Sequence, residues 1–107
     1  MVISVLMATR DRMGWLAESI PSVLRQEVDA TIELVVVDDG SQDDTALALA
    51  GWSRYFQHLG EGQRLVVVDH VRPAGMATAM NTAYAVCSGG LITRLDDDDL
   101  LPAGGVG

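Results

Sequence analysis

Apolar residues gather in four near-continuous runs, Val2 to Ala8, Ile32 to Val37, Leu65 to Val68 and Leu91 to Leu95. Such runs, rich in β-branched residues and of strand length, suit strands buried on both faces. Between them the apolar positions spread to helical spacing. Trp15, Leu16, Ile20, Val23 and Leu24 mark a helix over Trp15 to Gln26, with Pro21 inside it and expected to kink it. A second helix is predicted from roughly Asp43 to Gln57, with Ser41 as cap and Asp44 three residues on in the capping-box position. A third, built of small residues, runs from Met76 to Val86.

The order is β-α-β-α-β-α-β. Strands that alternate with helices in this way predict an α/β fold. Its sheet is mostly parallel, its crossovers are right-handed, and helices lie on both faces. Ligands of such sheets bind outside the C-terminal strand ends. Three polar clusters belong at that edge: TRDR after the first strand, DDGS after the second and DDDD after the fourth.

Length changes little in this picture, since 107 residues suit one small domain. Charge changes more. Fifteen acids face seven arginines, for a net charge of -8, and there is no lysine. That balance argues against nonspecific nucleic-acid binding, which needs cations against phosphates. Cys87 is the single cysteine, so no internal disulfide forms; a small core residue and a reducing, cytosolic setting are expected. The apolar start is too short to cross a bilayer and lacks the basic flank of a signal peptide.

Eight of the acids fall in two groups. In DDGSQDDT, Asp43 and Asp44 fit a helix start, where they complement the helix dipole. Gly40 permits a positive φ in the turn. Asp38 and Asp39 precede the cap and are not explained by it; at a strand end they can accept hydrogen bonds from a base N–H or a ribose hydroxyl. In LDDDDL, Asp96 to Asp99 follow a buried strand directly. Adjacent carboxylates repel unless a cation or water screens them. Magnesium and manganese prefer oxygen ligands, often one or two carboxylates plus substrate phosphates. The alternative is a solvated acidic loop before Pro102. There is no G-x-G-x-x-G after the first strand and no Walker pattern. His58 and His70 stand alone and are expected at the surface or in loops.

ISVLMATRDR, LAESIPSVLRQ, ELVVVDDGSQDDT and AGMATAMNTAYAVCSGGLITRLDDDD, in that order, resemble the N-terminal half of a family 2 glycosyltransferase with the Rossmann-like GT-A fold. The resemblance covers essentially the whole chain, and VVVDDGSQDDT is its most specific part. It implies that Ala8, Thr9 and Arg10 border the nucleotide base and that Asp39 binds it. It implies that Asp96 contacts the ribose or the metal, and that Asp98 binds a divalent ion, Mn2+ or Mg2+, bridging the diphosphate. Asp97 with Asp99 offers a second register for the same D-x-D pattern. The family commonly has proline at Ala8, an aromatic at Arg10 and asparagine at Asp11. Met80 stands where it has an arginine near the nucleotide.

The resemblance further implies an inverting transfer from a nucleotide-sugar donor, a UDP-sugar above all, to a saccharide or lipid-linked acceptor. The setting it implies is the cytoplasm, at the inner face of the membrane through other regions. Residues 1–107 then make an incomplete, truncated GT-A domain. A catalytic base is not nominated, and the chain alone is expected to bind nucleotide without turnover. A non-catalytic nucleotide-binding remnant is the alternative. A signalling receiver domain also clusters acids at strand ends, but it needs a lysine that this chain lacks.

Overall fold

The computed structural model describes residues 2–11, 13–24, 31–59 and 62–95. Four strands, β1 (Val2–Thr9), β2 (Thr31–Asp39), β3 (Gln63–His70) and β4 (Leu91–Arg94), alternate with three helices, α1 (Met13–Leu24), α2 (Thr45–Gln57) and α3 (Met76–Val86). All pairings are parallel and the sheet order is β3-β2-β1-β4. The expected α/β architecture is the observed one.

Burial explains why the central strands read as unbroken apolar runs. Every second residue faces α1 and α2: Val5, Met7, Ile32, Leu34 and Val36 join Leu16, Ile20, Val23, Leu49 and Phe56 in one core. The alternate set, Leu6, Ala8, Val35 and Val37, packs against Ala79 and Ala83 of α3. Those alanines lie four apart on one helix face, and their small side chains let α3 settle close to the sheet. A strand covered on both sides has no polar face, so it shows no alternation.

The elements differ from expectation mainly at their ends. β2 runs on through Asp38 and Asp39, and β3 extends from Gln63 to His70. Both gain ladder hydrogen bonds beyond their apolar segments, because Asp38 pairs with Asp69 and Asp39 with His70. α1 starts at Met13 and continues past Pro21 to Leu24 as one helix; Arg25 and Gln26 lie outside the described residues. α2 starts two residues later than expected, at Thr45. The capping box does not form, because the Ser41 hydroxyl accepts from Asp11 N–H (2.9 Å) instead. Asp43 serves the helix start, accepting from Thr45 N–H at 2.9 Å and from the Thr45 hydroxyl. Cys87 is half-buried beside the α3-side core, its thiol directed at the Tyr84 carbonyl (3.2 Å).

Candidate functional site

The chain builds outward from β1 to β2 to β3 and then returns to place β4 on the other side of β1. This reversal puts the topological switch point between the C-terminal ends of β1 and β4, where open α/β sheets form their ligand crevice. The TRDR turn follows β1 on one side of that crevice. Leu95 ends the described chain on the other, buried, with its N–H donating to Leu6 C=O (2.9 Å). The run Asp96 to Asp99 comes next in sequence and lies outside the described residues, as does the metal assignment to Asp96 and Asp98. Among the described residues no group of three or more His, Cys, Asp or Glu side chains is placed to hold a metal ion.

The turns after β1 and β2 are clasped together by Asp11, a residue without an assigned role in the sequence reading. Asp11 adopts a left-handed backbone, φ +54°. Aspartate and asparagine tolerate that region better than most residues. Its Oδ1 accepts from Gln42 N–H (2.6 Å) and Asp43 N–H (3.2 Å), while its own N–H reaches Ser41. The signal available in the sequence was the family's asparagine at this position, another left-handed residue. Of the neighbouring candidates, Ala8 and Thr9 are buried and Arg10 is exposed, its Nε 3.8 Å from Asp11 Oδ2. Arg10 and Asp11 are thus the described side chains of that turn that face solvent.

Asp38 and Asp39 point to opposite faces, as neighbours on a strand must. Asp38 Oδ1 accepts from Ser41 N–H (3.1 Å), tightening the DDGS turn on the α1–α2 side. Asp39 lies on the α3 side and is 1 % exposed. Its Oδ1 accepts from Ala74 N–H (2.8 Å) and faces His70 Nδ1 (2.9 Å); its Oδ2 accepts from Gly75 N–H (2.9 Å). Burial pushes this carboxyl upward. The Ala74 N–H, the His70 side chain, the Gly75 N–H and the His70 charge together outweigh it, so the group ends below the usual aspartate range. Gly75 is the N-cap of α3, φ +97°, and has no side chain to satisfy the helix start. The Asp39 carboxylate instead holds, from β2, the two residues that lead into α3, and its charge suits a helix N-terminus.

The turn after β3 thus joins the site, which the sequence reading did not foresee. Gly40 makes the join close: at φ +73°, a Cβ there would lie 2.7 Å from Pro73 N and Cδ. His70, expected as a surface or loop residue, ends β3 and links two elements. Its Nε2 is 3.0 Å from the Thr82 hydroxyl on α3. Met80 packs against the α3-side core, so the place of the family's arginine is filled by an apolar contact.

A second polar cluster occupies the opposite, N-terminal edge of the sheet. Glu33 is buried and accepts from the Ser4 hydroxyl (2.9 Å), Ser88 N–H (2.9 Å) and the Ser88 hydroxyl (2.8 Å), with Arg64 Nε at 3.2 Å. Burial raises its carboxyl; the two Ser88 bonds, the Ser4 bond and Arg64 bring it below the ordinary glutamate value. Every acceptor direction is used to tie the α3–β4 connection to β1 and β2, which leaves this cluster structural.

The profile of glycosyl transferase family 2 matches residues 4–106. Among curated relatives, the glucosyltransferase WfgD of Escherichia coli, described as UDP-Glc:alpha-D-GlcNAc-diphosphoundecaprenol beta-1,3-glucosyltransferase, is 32% identical over 99 residues, covering 92% of this chain and 36% of its own length. The mannosyltransferase PcManGT from Pyrobaculum calidifontis, solved with GDP-Man and Mn2+, superposes with a TM-score of 0.81 at 28% identity, over 95% of this chain and 29% of its own. S. aureus TarS 1–349 in complex with UDP gives 0.76 at 26% identity, over 92% and 28%. The chain therefore spans about a third of these proteins or less.

Proposed function

The chain belongs to glycosyltransferase family 2, and from that premise we propose that it forms the donor-binding part of an inverting, divalent-metal-dependent glycosyltransferase. The observation that carries the reading is the convergence of three loops, after β1, β2 and β3, at the C-terminal edge beside the switch point, with the acid run following β4. Open parallel sheets bind their ligands outside these strand ends.

In this reading Arg10 lays its planar guanidinium on the base, and Ala8 and Thr9 form the wall of the base subsite. Asp39 accepts a ring N–H of the base. A carboxylate has about four lone-pair positions, and three are taken by Ala74, Gly75 and His70, leaving one on Oδ2. Asp96 and Asp98 supply hard oxygen donors, which suit Mn2+ or Mg2+. The cation, when bound, neutralises charge on the departing diphosphate. Asp96 also reaches the ribose.

The transferred sugar goes to an acceptor hydroxyl, which needs a base to take its proton. No residue of 1–107 is nominated as that base, and the chain spans about a third or less of the relatives it matches. The description of WfgD names a diphosphoundecaprenol-linked acceptor, which supports a lipid-linked or saccharide acceptor here; a meeting at the cytoplasmic face of a membrane is part of the same proposal. Among the described residues no helix is long and apolar enough to cross a membrane.

Calorimetric titration of UDP and of GDP into the chain, with Mn2+ and with EDTA, tests this. One nucleotide is expected to bind only with metal, and Asp98→Ala to abolish that dependence. Binding that ignores both the metal and the substitution would remove the cation site from the proposal.

A further inference from the structure

The residue that the sequence left alone, His70, holds the most constrained position at the site. It is paired with Asp39 across the β2–β3 ladder, so both side chains rise from the same face of the sheet, next to each other. Its ring is the side chain that touches Asp39; the other two partners of that carboxylate are backbone N–H groups. Asp39 is held below its usual range and is ionised at neutral pH, so it can only accept. The hydrogen on the His70 ring therefore sits at Nδ1 and is donated to Asp39 Oδ1. The other nitrogen, Nε2, meets the Thr82 hydroxyl at 3.0 Å, and that hydroxyl also lies 3.1 Å from the Thr78 carbonyl. With the ring hydrogen on Nδ1, Nε2 accepts from Thr82 when that hydroxyl turns from the Thr78 carbonyl to the ring.

The geometry points to His70 as a positioning residue for base recognition, a strut from α3 through Thr82 to the Asp39 carboxylate that fixes the direction of its one remaining lone pair. This rests on the reading that Asp39 accepts a ring N–H of the nucleobase. The strut is needed because the other two contacts come from the Ala74–Gly75 turn, whose surface is exposed and whose Gly75 carries no side chain. Without His70, both remaining bonds come from that one turn, one on each oxygen, so the carboxylate follows the turn wherever it moves. With it, Oδ1 is occupied from two sides and Oδ2 keeps one open direction. A hydrogen bond that depends on direction is strong only where the acceptor cannot turn.

The test is a comparison of ligands across variants. Whichever of UDP and GDP binds the chain with Mn2+ is titrated beside its ring-N-methylated form, in which a methyl group replaces the hydrogen that Asp39 would accept. The unsubstituted protein is expected to prefer the parent nucleotide by about tenfold, the worth of one directed hydrogen bond. His70→Leu is expected to shrink that preference to within about threefold, with circular dichroism showing a folded chain. His70→Asn, whose amide N–H falls where Nδ1–H stands, is expected to restore most of it, and His70→Gln, which reaches Thr82 but not Asp39, is not. A residue that only stabilises the fold would change the melting temperature in all three variants and leave the preference intact.

The preference surviving unchanged in His70→Leu would overturn the role of His70 while leaving Asp39 as the base acceptor. No preference in the unsubstituted protein would instead overturn the base reading, and the strut with it.

Discussion

Asp11, Gly40 and Asp39 show how much one backbone-directed contact decides at this edge of the sheet. Asp11 combines a left-handed backbone with two accepted N–H bonds. Asn retains both abilities, so Asp11→Asn is expected to leave stability within about 0.5 kcal/mol, whereas Asp11→Ala loses about 1 kcal/mol; urea midpoints distinguish them. Gly40→Ala forces a Cβ against Pro73 N at a positive φ, and a loss of about 1–3 kcal/mol is expected in the same assay. Asp39 and Glu33 both titrate below their ordinary values when folded. The unfolded chain then binds more protons between the two pKa values, so stability is fully present above the unfolded values near 4 and falls as pH drops through the folded ones. Denaturation between pH 7 and pH 2 is expected to show that fall, and Asp39→Asn is expected to make it shallower. His70 belongs at this scale as well. As one histidine in a polar turn it carried no pattern, and its register opposite Asp39 exists only once β2 and β3 pair.

At the scale of elements, the strands and helices were legible because burial on both faces writes long apolar runs, and one-sided burial writes helical spacing. Their ends were less legible. β2 and β3 extend over Asp38, Asp39, Asp69 and His70, polar residues that keep the strand because ladder hydrogen bonds do not depend on the side chain. Ser41 has the right spacing for a cap, yet its hydroxyl is taken by Asp11 from thirty residues away. β4 is the element with the thinnest cover: it is four residues long, pairs with β1 on one side, and leaves Leu91 and Ile92 exposed. Open edges with apolar side chains invite pairing with other chains. Leu91→Lys is expected to reduce self-association in sedimentation runs while shifting the urea midpoint little, since the side chain is already half in water.

For the molecule as a whole, the central strands dominate stability. Leu34 lies in the middle of β2 with no exposure. Leu34→Ala is expected to lose about 2–5 kcal/mol, a large share of the roughly 5–15 kcal/mol typical of a domain. Thermal melting of that variant should show a clear drop against the unsubstituted chain. The strand order β3-β2-β1-β4 also decides where function can lie, because the reversal at β1 opens the crevice beside the TRDR turn and the end of β4.

The sequence by itself determined the α/β class, the number and order of the elements and the family, because hydrophobic period and local motif are properties of neighbours along the chain. It also marked Asp39 and the acid run as unusual. Tertiary structure alone decided what Asp11, Asp39 and His70 hold. Their partners lie on other strands and turns, 31 residues away for Asp11 and Gln42 and 31 for Asp39 and His70. A hydrogen bond between such residues depends on strand order and register, and those are set by the packing of the whole sheet against its helices.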